Sequence, residues 1–233
     1  MSKLNSPIEI KSITKSKITS FFKQTSALDV NQLRLTNISL YSVTPWKEAN
    51  RISNWILQFY TGSRPILKPI GSSLTITDAT ANVGGNAISF HLNGFSLVNV
   101  IEKDELTAKL LNNNLKAYGL TTNNVYCCDY LSIYDKLEQD VIFLDPPWGG
   151  PNYKNYQSLD LFLGKINVAD LSYQILNNNK ASLIALKVPV NYNLNGLQKT
   201  LKDCTFYIRK VFRHKFHSYN IIFCYKNSNS KII

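Results

Sequence analysis

From residue 74 the chain alternates between short apolar runs and longer stretches with helical spacing, and this alternation limits the fold more than any other feature. "LTITDA" reads as a strand and "GGNAISFHLN" as a short helix. "SLVNVIE" is a second strand, followed by "DELTAKLLNNNLKAYG", a helix that Gly119 ends. "NVYCCDY" and "DVIFLD" are a third and fourth strand, "VADLSYQILNNN" a helix and "ASLIALKVP" a fifth strand. "CTFYIRKVF" and "SYNIIFCYK" close the series as two strands joined by "RHKFH". The pattern predicts an α/β fold: a Rossmann-like, mostly parallel seven-stranded sheet closed by a C-terminal antiparallel hairpin.

Upstream, residues 1 to about 40 are polar and basic and read as a flexible or weakly helical extension. "SVTPWKEANRISNWILQFY" starts a clear helix, with Thr44 as N-cap and Pro45 in the first position. Ile52, Trp55, Ile56 and Phe59 recur on one face of it. "TGSRPILKPIGSS" is a loop. The expected division is a basic, helical extension over 1–60 and a catalytic domain over 61–233.

The 233 residues, 44% of them hydrophobic, suffice for one good-sized core. No apolar run approaches the ~18 residues of a membrane span, and the N-terminus lacks the apolar segment of a signal peptide. The four cysteines show neither disulfide nor zinc-ligand spacing, so reduced thiols, no metal and an intracellular setting are expected. A net charge of +11 points to a polyanionic partner, most simply nucleic acid.

In a doubly wound sheet, ligands bind at the carboxyl ends of the strands. The first strand ends in Asp78 and leads through Thr80 into "NVGGN", where Gly84, Gly85 and Asn86 let backbone approach a ligand at a helix N-terminus. Glu102 ends the second strand, where an acid suits a pair of ribose hydroxyls. Asp129 follows the third, and Asp145 with Pro146, Pro147 and Trp148 follows the fourth. The order is that of an S-adenosylmethionine site. Neither the G-x-G-x-x-G of dinucleotide proteins nor the G-x-x-x-x-G-K-[ST] of triphosphate-binding loops is present.

Methyl transfer to an exocyclic base amine requires the base held flat and its amine in line. Asp145, or carbonyls fixed by Pro146 and Pro147, can accept from the amine and stabilise charge developing on it. Trp148 can stack on the base, with a cation–π gain if the base is charged. D-P-P-[WYF] after an apolar strand is a signature of amino-group methyltransferases.

The longer string "FLDPPWGGPNY" resembles the S-P-P-W-G-G-P region of the trimethylguanosine synthases, which methylate N2 of the RNA cap guanine. "DATANVGGNAISF", "NNNLKAYGL" and "YSVTPWKEANRI" are similar to other motifs of that family, so the likeness spans residues 41 to about 156. It implies S-adenosylmethionine as cofactor, capped RNA as partner and a monomeric catalytic domain. Asp78, Gly84, Gly85 and Asn86 would line the methionine part, Glu102 the ribose, and Asp129 would lie near the adenine. Trp148 would stack on 7-methylguanine, Asn114 would contact the base, Ser42 and Thr44 would lie close to the pocket, and Lys187 or basic groups of the N-terminal extension would meet the cap phosphates. Two positions depart from the family: Asn82 stands for a loop glycine, and Asp145 for the serine before P-P-W.

Two other readings fit the residues: a methyltransferase acting on an internal guanine or adenine of RNA or DNA, and a non-catalytic cap- or RNA-binding subunit on a degenerate fold. Nucleus or cytoplasm is the expected compartment, and the frequent Asn, Lys and Ile suggest an AT-rich organism or a cytoplasmic DNA virus.

Overall fold

The computed structural model describes residues 7–26, 28–61, 73–120, 124–213 and 216–226. These form two compact units, one ending at Ile133 and the other beginning at Tyr134.

The first unit opens with β1 (Ile10–Lys11), α1 (Lys15–Phe21), β2 (Leu35–Thr36) and α2 (Ser39–Ser42), with β1 and β2 antiparallel. The segment expected to be flexible or weakly helical is thus folded, and it buries Ile18, Phe22, Val30, Leu33 and Leu35. Each element is too short to show a period, so its apolar residues look scattered in the sequence. The helix α3 (Trp46–Thr61) begins one residue later than expected. Pro45 precedes it, and its carbonyl accepts from Glu48 N and Ala49 N. Its buried stripe is Ala49, Ile52, Ser53, Ile56 and Tyr60, whereas Trp55 and Phe59 are half-buried. Most of the expected loop after it, residues 62–72, lies outside the described residues.

Next come β3 (Thr75–Asp78), α4 (Gly85–Leu92), β4 (Leu97–Glu102), α5 (Glu105–Ala117) and β5 (Val125–Cys127). The strands pair in parallel, Asp78 opposite Val100 and Glu102 opposite Cys127, so the three carboxyl ends are aligned. Asp104 caps α5 by accepting from Thr107 N, and Gly119, at φ 70°, ends it.

The second unit holds β6 (Val141–Leu144), β7 (Phe162–Leu163), β8 (Ile166–Asn167), α6 (Val168–Asn177), β9 (Leu183–Pro189), α7 (Leu194–Thr200), β10 (Cys204–Arg213) and β11 (Phe216–Lys226). The buried β6 runs parallel to β9, and β11 runs antiparallel to both β9 and β10. The final strands are longer than the sequence suggested, and residues 214–215 of the expected "RHKFH" connection lie outside the described residues. Sheet order is β10-β11-β9-β6-β3-β4-β5. This is the expected mostly parallel α/β sheet with its antiparallel hairpin.

Among the described residues no helix is long and apolar enough to cross a membrane, and no group of three or more His, Cys, Asp or Glu side chains is placed to hold a metal ion. The four cysteines are free thiols.

Candidate active site

In the first unit, fully buried Asp78 ends β3 and Thr80 follows it, half-buried. The chain then makes a tight loop in which Asn82 adopts φ 51° and Gly84 φ 99°. The left-handed region is strained for most residues but open to Gly and tolerated by Asn. Here Asn82 is also held through its side chain. Its Oδ1 accepts from Ser39 Oγ at 2.7 Å and Val83 N at 2.8 Å, and its Nδ2 donates to Ser42 Oγ at 2.8 Å. The missing loop glycine is therefore replaced by a residue pinned in the glycine-like conformation.

Glu102 ends β4 and fastens the same loop. One carboxylate oxygen accepts from Asn82 N at 3.0 Å and the other from Asp104 N at 2.8 Å. Burial pushes its pKa above the usual glutamate range, while the backbone donors pull the other way. At Gly85, a Cβ would stand 2.7 Å from Val43 Cγ2 and 2.8 Å from the Thr44 carbonyl oxygen. Only glycine lets the start of α4 approach the 43–44 backbone this closely. Asn86 donates from Nδ2 to Thr44 Oγ1 at 3.0 Å, while its buried Oδ1 has no hydrogen-bond partner among the described residues.

Asp129 is half-buried, and its side chain caps the turn 130–132 by accepting from Leu131 N. Ser42 is exposed and Thr44 buried, and both are bound to loop and helix residues as above. Asn114 is fully buried. Its Oδ1 accepts from Arg34 N at 2.8 Å, and its Nδ2 donates to the carbonyls of Arg34 at 2.8 Å and Val83 at 2.9 Å. An amide so engaged braces the loop from behind, a different placement from the expected contact with a base.

The second unit carries the Asp145 turn. Pro146 is buried, Pro147 exposed and Trp148 half-buried, and the open conformations of Gly149 and Gly150, φ 89° and 76°, carry the chain away. Tyr153 meets the Trp148 ring edge to face at 5.2 Å between centroids. Asn191 donates to the Tyr153 and Tyr156 carbonyls at 2.8 and 2.7 Å, fixing the segment that bears Tyr153.

Lys187 was expected at the cap phosphates. It instead rises from the middle of buried β9, its Nζ 2.6 Å from Asp145 Oδ2, with the two side chains 7% and 15% exposed. The ammonium also lies 5.6 Å from the Trp148 ring centroid and 5.3 Å from that of Tyr219. Burial raises the Asp145 pKa above the carboxylate norm, while Lys187 and, less, the Trp148 indole lower it. The signal for this pair was in the sequence: a lone lysine inside "LIALKVPV" is costly to bury without an anion. The serines that hold Asn82 carried no such mark.

Solved structures with a similar fold include a chain from Streptococcus mutans described as an S-adenosylmethionine-dependent methyltransferase. It has a TM-score of 0.53 and 13% identity, over 84% of this chain and 54% of that one. TrmN from Thermus thermophilus gives a TM-score of 0.50 and 16% identity, over 76% and 48%. The fold is that of the class I S-adenosylmethionine-dependent methyltransferases. Residues 74–230 match the RNA cap guanine-N2 methyltransferases, and the chain belongs to that family. Among relatives, an uncharacterized protein, L320, of Acanthamoeba polyphaga mimivirus is 39% identical over 135 residues, 57% of this chain and 52% of the relative. Trimethylguanosine synthase of Schizosaccharomyces pombe is 33% identical over 122 residues, 49% and 46% of the two. The chain spans about half the length of these curated relatives.

The residues at the aligned strand ends suit the cofactor of this class. A buried amide oxygen at the start of α4, on Asn86, has no donor among the described residues and suits one from a ligand. Asp78 and Glu102 add carboxylates at two adjacent strand ends, able to accept from an amine and from hydroxyls. When bound, S-adenosylmethionine supplies an activated methyl group.

Proposed function

We propose that the protein methylates N2 of the 7-methylguanosine cap of RNA. The observation that carries this reading is Trp148, fixed by Tyr153 and placed next to Asp145 at the end of β6. A braced indole offers a flat stacking surface worth about 1–3 kcal/mol per base, and more for a base with a fixed positive charge. The guanine amine develops positive charge as it accepts the methyl, and the Asp145 carboxylate stabilises that charge by accepting its N–H. Asp78, Thr80, Gly84, Gly85 and Asn86 receive the methionine part of the cofactor, Glu102 its ribose, and Asp129 lies near its adenine. Ser42, Thr44 and Asn114 support the site by holding the loop and α4.

The test is incubation with S-adenosylmethionine and a 7-methylguanosine dinucleotide cap analogue, with products resolved by mass. A gain of one or two methyl masses supports the reading. Activity on uncapped RNA alone would replace it with internal-base methylation, the reading that Asp145 favours, because a carboxylate there is usual in adenine-N6 and some other guanine-N2 enzymes. The non-catalytic alternative predicts no cofactor binding by calorimetry. Against it stands Asn82, which keeps the loop in its glycine-like conformation at φ 51°.

A further inference from the structure

The proposed reaction employs Asp145 but gives no role to Lys187, the cation paired with it. Charged and titratable groups come to this part of the unit from β9, β11 and the turn. β9 gives Lys187, and β11 gives Tyr219 beside the ammonium. The turn gives Tyr153 and the exposed Lys154, whose Nζ lies 5.9 Å from the Tyr153 ring centroid. An ammonium that is 7% exposed and bonded to a carboxylate at 2.6 Å is poorly placed to meet a solvated phosphate chain.

We infer that Lys187 is a positioning residue that holds Asp145 ionised and correctly turned beside Trp148, so that the carboxylate accepts from the base amine. This role rests on the base-amine reading above. The physical grounds are these. A buried carboxyl without a countercharge takes up a proton. Once protonated it presents a donor toward the amine where an acceptor is needed. Lys187, bonded to Oδ2, prevents that and fixes the rotation of the group. The pair also sums to zero charge, so a cationic base beside Trp148 meets no net repulsion from the ammonium 5.6 Å from that ring.

The test follows the Asp145 carboxyl directly, by carbon-13 NMR titration of the whole protein without substrate, with Asp145→Asn assigning the signal. In Lys187→Met the titration midpoint should rise by about one pH unit or more, at least a tenfold change in proton affinity. The acid limb of the pH–rate profile should rise with it, measured on whichever base substrate the wild type methylates, and Lys187→Arg should return it toward wild type. An unchanged midpoint, or a rate loss equal at every pH, overturns the proposal. Should Lys187→Met fail to fold, Asp145→Asn/Lys187→Met buries no charge and should fold, bind S-adenosylmethionine and, with that cofactor saturating at every pH, show no acid limb. A wild-type limb in that double variant also overturns it. If the wild type methylates only uncapped RNA, the cap reading falls while the NMR midpoint still decides the role of Lys187.

Discussion

The loop after β3 and the turn after β6 each carry a residue foreign to the motif around it, and they accommodate it by different means. In the loop, Asn82 takes a conformation suited to glycine, and its side chain is kept there by neutral hydrogen bonds from Ser39 and to Ser42. In the turn, Asp145 brings a charge into a buried place and is paired with the Lys187 ammonium at 2.6 Å. A conformational misfit can be shared among several weak bonds. A buried charge needs one strong partner, and removing that partner leaves the full desolvation cost. Substitutions in the loop should therefore cause graded losses, and those at the turn near-complete ones.

The largest expected effect is at the turn. Trp148→Ala should reduce base methylation to background while calorimetry shows S-adenosylmethionine binding nearly unchanged; near-wild-type turnover would remove the stacking role. In the loop, Gly85→Ala should cost about 1–3 kcal/mol in denaturant unfolding, because the added Cβ meets the Thr44 carbonyl at 2.8 Å and backbone cannot step aside cheaply. Asn82→Ala should cost about 1–2 kcal/mol, and Asn82→Gly less, since glycine recovers the conformation but not the side-chain bonds. Equal losses for the two would show that the bonds matter and the conformation does not. Acidification gives a smaller effect. Because burial raises the Glu102 pKa, this group takes up its proton at a higher pH than an ordinary glutamate. Cofactor affinity should then be full above that raised value and fall as pH drops through it, with Glu102→Gln flattening the dependence. The smallest effect is expected for Lys154→Ala. This exposed cation beside Tyr153 should change only the KM for a capped substrate, and that by a fewfold.

Where the sequence was legible, periodicity or punctuation was strong: the alternation after residue 74, and the end of α5 at Gly119. β7 and β8, two residues each, escaped reading because nothing so short has a period. Candidate site residues could be placed at strand ends because ligands collect there, but their partners were hidden. Ser39 and Ser42 meet Asn82 across 43 and 40 positions, and Asn114 meets Arg34 across 80, distances over which a single sequence carries no trace. Lys187 was noticed as a cation and given a solvent-facing task, although its apolar neighbours in β9 already indicated an interior one.

The buried Asn114 amide also determines where this protein can be cut. Two of its three backbone partnerships are with Arg34, in the stretch that reads as a dispensable basic arm. A protein trimmed to begin at residue 41 would lose the Arg34 clasp on that amide, the bond from Ser39 to Asn82, and the apolar burial of Leu33 and Leu35. The stretch from Leu33 to Ser39 thus buttresses the loop proposed to receive the methyl donor, and removing it should weaken S-adenosylmethionine binding before any effect on RNA is seen.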